Sequence, residues 1–292
     1  MLRVYDKASD HLEMALGGMK KIYGEEHINY LQVQFDKCDL YIGMGRYDEV
    51  LMLTKSLTQA TGALNGTSDL YSLISLYYFG KLSSEYGDYT FANESFAYVK
   101  DLADDDFKTS ILYAETLFEM ARLYERTHLE NLSFNELRSM APMRINFYKT
   151  MNGIHIRNLR EATSIYETNY GEHHPKLAIM HCTEAYLIGL NGHADSANIL
   201  YDKYLPILEK QYGTMHPEYA RVRMKLADLN YIYGDTNSAA VGYMEANEIS
   251  IAETQKVFSI SSDRYRKSYL EKIMIDFDKL QLFNYEANNP FT

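Results

Sequence analysis

Residues Tyr170–Asp235 read YGEHHPKLAIMHCTEAYLIGLNGHADSANILYDKYLPILEKQYGTMHPEYARVRMKLADLNYIYGD, and Gly171, Gly192, Gly213 and Gly234 punctuate this stretch every 21 residues. Gly24, Gly45, Gly66 and Gly87 form a second set with the same spacing, in phase with the first because 171 − 87 = 84, four times 21. Glycine accepts the left-handed conformation that ends a helix at no steric cost. One helix plus one tight turn therefore fills each interval, and two intervals make a helical hairpin of 42 residues. Stacked hairpins of this kind form a solenoid.

Working outward, the phrase Tyr-Gly, two residues, His recurs as YGEEHINY (Tyr23–Tyr30), YGEHHPKLA (Tyr170–Ala178) and YGTMHPEYA (Tyr212–Ala220). The proline that follows His174 and His216 suits a first helical turn, where its missing N–H loses no hydrogen bond. We name the helix after this turn A and the helix after the second glycine (GMGRY, LNGHA, IYGDT) B. Small residues recur on A at Cys38 and Gly80, then Ala185 and Ala227, and on B at Val50, Ala92, Ala197 and Ala239. An aromatic follows four residues later on B at Phe96, Tyr201 and Tyr243, on the same face, with Thr54 the exception. Alternating small and large residues predict a close A–B crossing in every hairpin. Residues 1–23 have B character, so the array begins mid-hairpin.

The lattice breaks in the middle. Residues 109–126 (TSILYAETLFEMARLYER) read as another A helix, but B-to-A junctions at Gly24 and Gly171 are 147 residues apart, an odd number of 21-residue intervals. An extra or extended helix is therefore expected in 127–170, with Ser133 and Glu136 as a capping box and Pro142 restricting that helix. A last amphipathic helix is expected over about 262–285, with Tyr269, Ile273, Ile275, Phe277 and Leu280 lining one side.

With 292 residues, 46% of them hydrophobic, the chain can bury a continuous core. No run approaches eighteen apolar residues and the start is charged, which predicts no membrane partner and a cytoplasmic location. A formal charge of −11 disfavours nucleic acid, which needs clustered Lys and Arg. Two cysteines cannot make a disulfide framework. None of the common nucleotide, hydrolase or zinc-protease motifs is present. His173, His174 and His181 are the nearest approach to a metal cluster, but His174 belongs to the repeated turn, so no metal or cofactor is expected. Cys38 and Cys182 read as compact hydrophobes. A dyad of Cys182 with His181 is excluded because adjacent helical residues face about 100° apart. No catalytic residue is therefore assigned.

HPKLA and HPEYA, followed by LADLNYIYGD and an alanine-bearing B helix, resemble tetratricopeptide (TPR) repeats of the 42-residue kinesin-light-chain type, over 1–104 and 171–255. Lys37 and Glu184 depart from that pattern at a usually apolar A position. The resemblance implies an all-α, right-handed superhelical solenoid of about twelve helices, arrayed over 1–256 with an irregular centre, and a capping or connecting helix and tail in 257–292. The segment QKVFSISSDRYRKSYLEKIMIDFD is similar to the one that follows such repeats in bacterial TPR–CHAT proteins, where a caspase-like protease domain comes next. It implies the sensor or regulatory part of a larger assembly, with a protease domain C-terminal or separately encoded. No cysteine follows Cys182, so no such nucleophile is present here.

In TPR folds the A helices line the concave groove. Carrying the family's groove positions across selects Asp39, then Tyr77, Lys81 and Glu85, then Phe118 and Arg122, then Tyr186, and last Arg221, Asp228 and Tyr231. The set is rich in Tyr, of which the chain holds 27, and it lacks the Asn and Lys/Arg clustering that clamps a C-terminal carboxylate. The resemblance thus implies a non-catalytic scaffold that binds an internal peptide or a folded protein surface; a peptide-pheromone receptor is the alternative. Inter-repeat packing is the competing role for every residue in the set.

Overall fold

Six of the eight lattice glycines, Gly24, Gly87, Gly171, Gly192, Gly213 and Gly234, sit in turns with φ between +78° and +93°. The computed structural model describes residues 2–25, 27–44, 46–65, 70–129 and 145–260, together with 266, 270, 274, 277–281, 283 and 284; Gly45 and Gly66 lie outside them. Two turn types alternate. At B-to-A junctions the glycine N–H bonds back four residues, as Gly171 to Glu167 O and Gly213 to Glu209 O, both at 2.9 Å. At A-to-B junctions the residue after the glycine reaches back five, as His193 to Ile188 O and Asp235 to Asn230 O. Either pattern satisfies carbonyls that a helix end leaves without partners.

The helices are α1 (Leu2–Tyr23), α2 (Ile28–Gly43), α3 (Tyr47–Asn65), α4 (Leu70–Tyr86), α5 (Tyr89–Leu102), α6 (Ile111–Tyr124), α7 (Ile145–Tyr170), α8 (Pro175–Leu190), α9 (Ala194–Tyr212), α10 (Pro217–Ile232) and α11 (Thr236–Ile260). No strand occurs among the described residues. The molecule is all-α and built from TPR-type helix pairs. It divides into two packing units, one holding α1 to α5, the other α6 to α11 with the described residues 270–284.

His174 and His216 of the repeated junction cap α8 and α10. His174 Nδ1 accepts from Lys176 N–H at 3.2 Å and His216 Nδ1 from Glu218 N–H at 3.1 Å. Each His ring also stacks on the Tyr four residues earlier, at centroid distances of 4.4, 4.8 and 4.3 Å for Tyr23–His27, Tyr170–His174 and Tyr212–His216. Burial pushes the His174 imidazole below its ordinary range, with Lys176 acting in the same direction and the Glu115 charge against it. Asp88 and Asp235 cap α5 and α11 by accepting from Phe91 N–H and Ser238 N–H.

The crossings are as tight as the small residues imply. Cys38, Val50, Ala92, Ala185, Ala197, Ala227 and Ala239, and the large partners Phe96, Tyr201 and Tyr243, are all at most 2% exposed. The A helices also lean on the preceding B helix through the two polar departures: Lys37 bonds Glu13 on α1 at 2.5 Å, and Glu184 receives Arg160 of α7 at 2.6 Å.

In the middle, α6 runs into a π-helical turn at Glu125–Leu129, and α7 extends over 26 residues. The capping box at Ser133 and Pro142 lie outside the described residues. Asn152 of α7 links two neighbours: its Oδ1 accepts from Tyr124 Oη of α6 at 2.8 Å, and its Nδ2 donates to Asn191, just after α8, at 2.8 Å. At the C-terminal end, 277–281 are helical, but Lys279 and Phe283 are the buried residues, while Phe277 and Leu280 are half-buried. Tyr269, Ile273 and Ile275 lie outside the described residues.

Candidate binding face on the A helices

In the first unit, Asp39 on α2 and Lys81 on α4 stand one repeat apart and pair at 2.6 Å. Asp39 also accepts from Tyr78 Oη at 2.9 Å. The Lys81 ammonium lies 5.4 and 5.8 Å from the Tyr77 and Tyr78 ring centroids, where the negative ring faces attract it. Glu85, half-buried, accepts from Tyr47 Oη of α3 at 2.9 Å. Tyr77 itself is buried and packs on Phe96 of α5.

The second unit repeats this arrangement with longer reach. Phe118 of α6 is fully buried, with the Arg122 guanidinium 5.6 Å and the Lys176 ammonium 4.7 Å from its centroid. Lys176 pairs with Glu115 at 3.0 Å. Arg122 of α6 lies 3.6 Å from Glu218 of α10, which Arg221 meets at 2.6 Å. Burial alone raises the Glu218 carboxyl, but the positive charges of Arg221, Arg122 and Lys176 outweigh it and hold the group well below the usual carboxylate range. Glu125, in the π turn after α6, and Lys225 of α10 form a buried pair at 2.5 Å, with the Lys225 ammonium 5.7 Å from the Tyr186 ring centroid. The Asp228 carboxylate is buried and accepts from Tyr186 Oη at 3.2 Å, Tyr243 Oη at 2.7 Å and Lys279 Nζ at 2.7 Å. Tyr231 is buried edge-on to Phe283 at 5.4 Å.

Each group of expected groove residues therefore divides by depth. In the first unit Tyr77 forms a buried floor, and Asp39, Lys81 and Glu85 a polar rim with solvent access. In the second unit Phe118, Tyr186, Asp228 and Tyr231 form a buried floor, and Arg122 and Arg221 a polar rim. Such a face can hold a polypeptide by salt bridges and planar hydrogen bonds from the rim, with the floor fixing the rim's positions. Glu125, Lys225, Glu218, Lys279 and Phe283 join the second unit's floor and rim and escape the repeat pattern. Glu125 sits in a π turn outside the lattice, and Lys279 and Phe283 follow α11, where the 21-residue spacing has ended.

The histidines are occupied structurally. His174 caps α8, His181 stacks on Tyr204 at 4.0 Å, and His173 lies near Glu172 at the surface. No group of His, Cys, Asp and Glu suited to a metal ion occurs among the described residues. Burial pushes the Cys38 and Cys182 thiols up to about 12, and both stay protonated and unreactive near neutrality. Among the described residues no helix is long and apolar enough to cross a membrane.

No family model matches the sequence, and neither does any curated protein sequence. Solved structures do match in shape. BtubC from P. vanneervenii aligns with a TM-score of 0.54 at 14% identity, over 85% of this chain and 92% of that one. A variant of the TPR-like repeats of a protein described as a kinesin light chain, from Podosopora anserina, aligns with a TM-score of 0.50 at 16% identity, over 77% of this chain and 96% of the other. Glycine turns, close A–B crossings and these structural likenesses agree: the chain has the fold of a TPR-like repeat protein of the kinesin-light-chain type.

Proposed function

We propose that the chain is a non-catalytic scaffold whose A-helix face binds a protein or peptide, and that it serves as the sensor or regulatory part of a larger assembly such as a CHAT-type protease system. TPR-like relatives in structure support protein interaction at a coarse level. The observation that carries the reading is the rim over an aromatic floor: Lys81 above Tyr77, and Arg122 above Phe118, each keep a cation beside a ring at a half-open surface. Arg and aromatic residues in this arrangement are the usual sources of interface energy, because they combine large contact area with oriented donors. The acidic chain favours a basic or neutral partner and an association weakened by salt. The tail similarity supports the protease association. A short-peptide receptor is the second reading. It is favoured by the ion pairs Arg122–Glu218 and Glu125–Lys225, which tie α6 and the π turn after it directly to α10 within the second unit.

The test places a photocrosslinking amino acid at Lys81 or Arg221 and, as controls, at Tyr98 or Ile199 on B helices. Crosslinks from the rim to one polypeptide, followed by weaker binding of that purified polypeptide to the Lys81→Glu variant at a little-changed melting temperature, are expected. Crosslinks confined to Tyr98 and Ile199 would place the surface elsewhere.

A further inference from the structure

The last repeat of the second unit ends on the chain's own C-terminal segment. Lys279 Nζ bonds Asp228 Oδ2 at 2.7 Å. Four residues later Phe283 lies edge-on to Tyr231 at 5.4 Å and tilted against Tyr243 at 5.2 Å. Asp228, Tyr231, Tyr243, Lys279 and Phe283 are all buried. Residues four apart on a helix share one face, so a single turn supplies both anchors.

An ion pair is an odd choice for a segment that only covers the end of a solenoid. Taking two charges out of water costs about as much as their attraction returns, and an apolar pair of the same volume covers the surface as well. What the pair adds is selectivity. The buried carboxylate of Asp228 accepts a cation and rejects an anion or an unpaired apolar side chain. Tyr186 from α8 and Tyr243 from α11 hold it in place, and these two hydroxyl donors remain when the ammonium leaves. Among the described residues, the side chains that receive Lys279 and Phe283 come from α8, α10 and α11.

We propose that Asp228, Tyr186, Tyr231 and Tyr243 form a recognition site for a partner helix that carries a lysine and, four residues later, a phenylalanine, and that residues 277–284 are its intramolecular occupant. The proposal rests on the A-helix face being a binding surface and narrows it: a partner at this end competes with the chain's own segment. Its apparent affinity falls by the fraction of molecules in which the site is vacant.

The experiment uses the full chain and, as probe, a fluorescent synthetic peptide of residues 274–288, followed by anisotropy. The double variant Lys279→Ala/Phe283→Ala vacates the site, and the peptide is expected to bind it at least about tenfold more tightly than the unaltered chain, a difference of ~1.4 kcal/mol. Adding Asp228→Asn to that variant, or replacing the peptide lysine by glutamate, is expected to abolish the gain. Should the double variant lose its helical signal, Lys279→Gln/Phe283→Leu takes its place, with the same expectation. A lower melting temperature without any gain in peptide binding overturns the proposal and makes the segment a fixed cap. A dimer that forms by exchange of residues 277–284 overturns it in favour of a second copy. Crosslinking from Lys81 and Arg221 is unaffected by either result, so loss of this site and loss of the wider binding face are told apart.

Discussion

The Phe96 ring of α5 lies so close to the Gly80 backbone of α4 that a Cβ at position 80 would sit 2.6 Å from its Cε1. Phe96 is fully buried, so the ring has no room to retreat. The α4–α5 crossing is as near as it is because residue 80 has no side chain. In the second unit, α10 and α11 also approach closely, at the neighbouring position: a Cβ on Gly242 would meet the Ala227 Cβ at 2.9 Å.

Gly80→Ala should destabilise the first unit by ~1–3 kcal/mol through overpacking, although alanine in a helix otherwise gains ~1 kcal/mol over glycine. Thermal melts of Gly80→Ala and of Gly80→Ala/Phe96→Leu test this. The second change should recover part of the loss, and an unchanged melting temperature for Gly80→Ala would mean that the crossing is looser than described.

Asp228→Ala should cost ~3–5 kcal/mol, because it leaves the Lys279 ammonium buried without its carboxylate. Combining it with Lys279→Met should cost less than the two single changes summed, since residues in contact are not additive. Urea unfolding of the three variants gives the coupling; strict additivity would show that Lys279 does not pair with Asp228 in solution.

His174→Ala should lose ~1 kcal/mol, the worth of one N-cap, and His174→Asn should keep most of it. The cap also predicts a pH dependence. Burial lowers the folded His174 value below its ordinary 6.5, so the unfolded chain takes up the proton first. This contribution is full above pH 6.5 and fades as pH falls from there through the lower folded value. Glu218, lowered in the folded state, contributes above 4.5, and that share is lost as pH falls further. Melting temperatures across this range should therefore fall in two stages, and His174→Ala should blunt the first.

Cys38 and Cys182 should not react with a thiol reagent at pH 8 in the folded protein, because burial excludes the reagent and holds both thiols protonated. Denaturant should expose both. Rapid labelling of either one in native buffer would show that its hairpin opens locally.

Lys81→Glu should leave stability within ~1 kcal/mol, since the Asp39–Lys81 pair is at the surface and such pairs contribute little. Binding of the crosslinked partner should nonetheless weaken, measured by titration at low and high salt. Equal affinities for both forms would remove the first unit's rim from the binding face.

The repeat was legible because its devices are local. A glycine at each 21-residue node needs nothing beyond its own backbone freedom, and Tyr170, Gly171 and His174 make a turn, a stack and a cap within five residues. The small residues at Gly80 and Ala227 carry the crossing into the sequence, because an A–B hairpin is short and regular. The depth of each groove position was not legible. Tyr186 and Arg221 occupy A helices of the same lattice, yet one is buried under Lys225 and the other is half-open, because depth depends on how closely α6 approaches α10. That approach is made by Glu125 and Lys225, 100 residues apart, and the end of the face by Asp228 and Lys279, 51 apart. Sequence spacing thus determined the helices, their turns and the faces they share. Only tertiary structure decided which of those side chains became floor and which rim, because burial is set by charges brought together across several repeats, where no local periodicity acts.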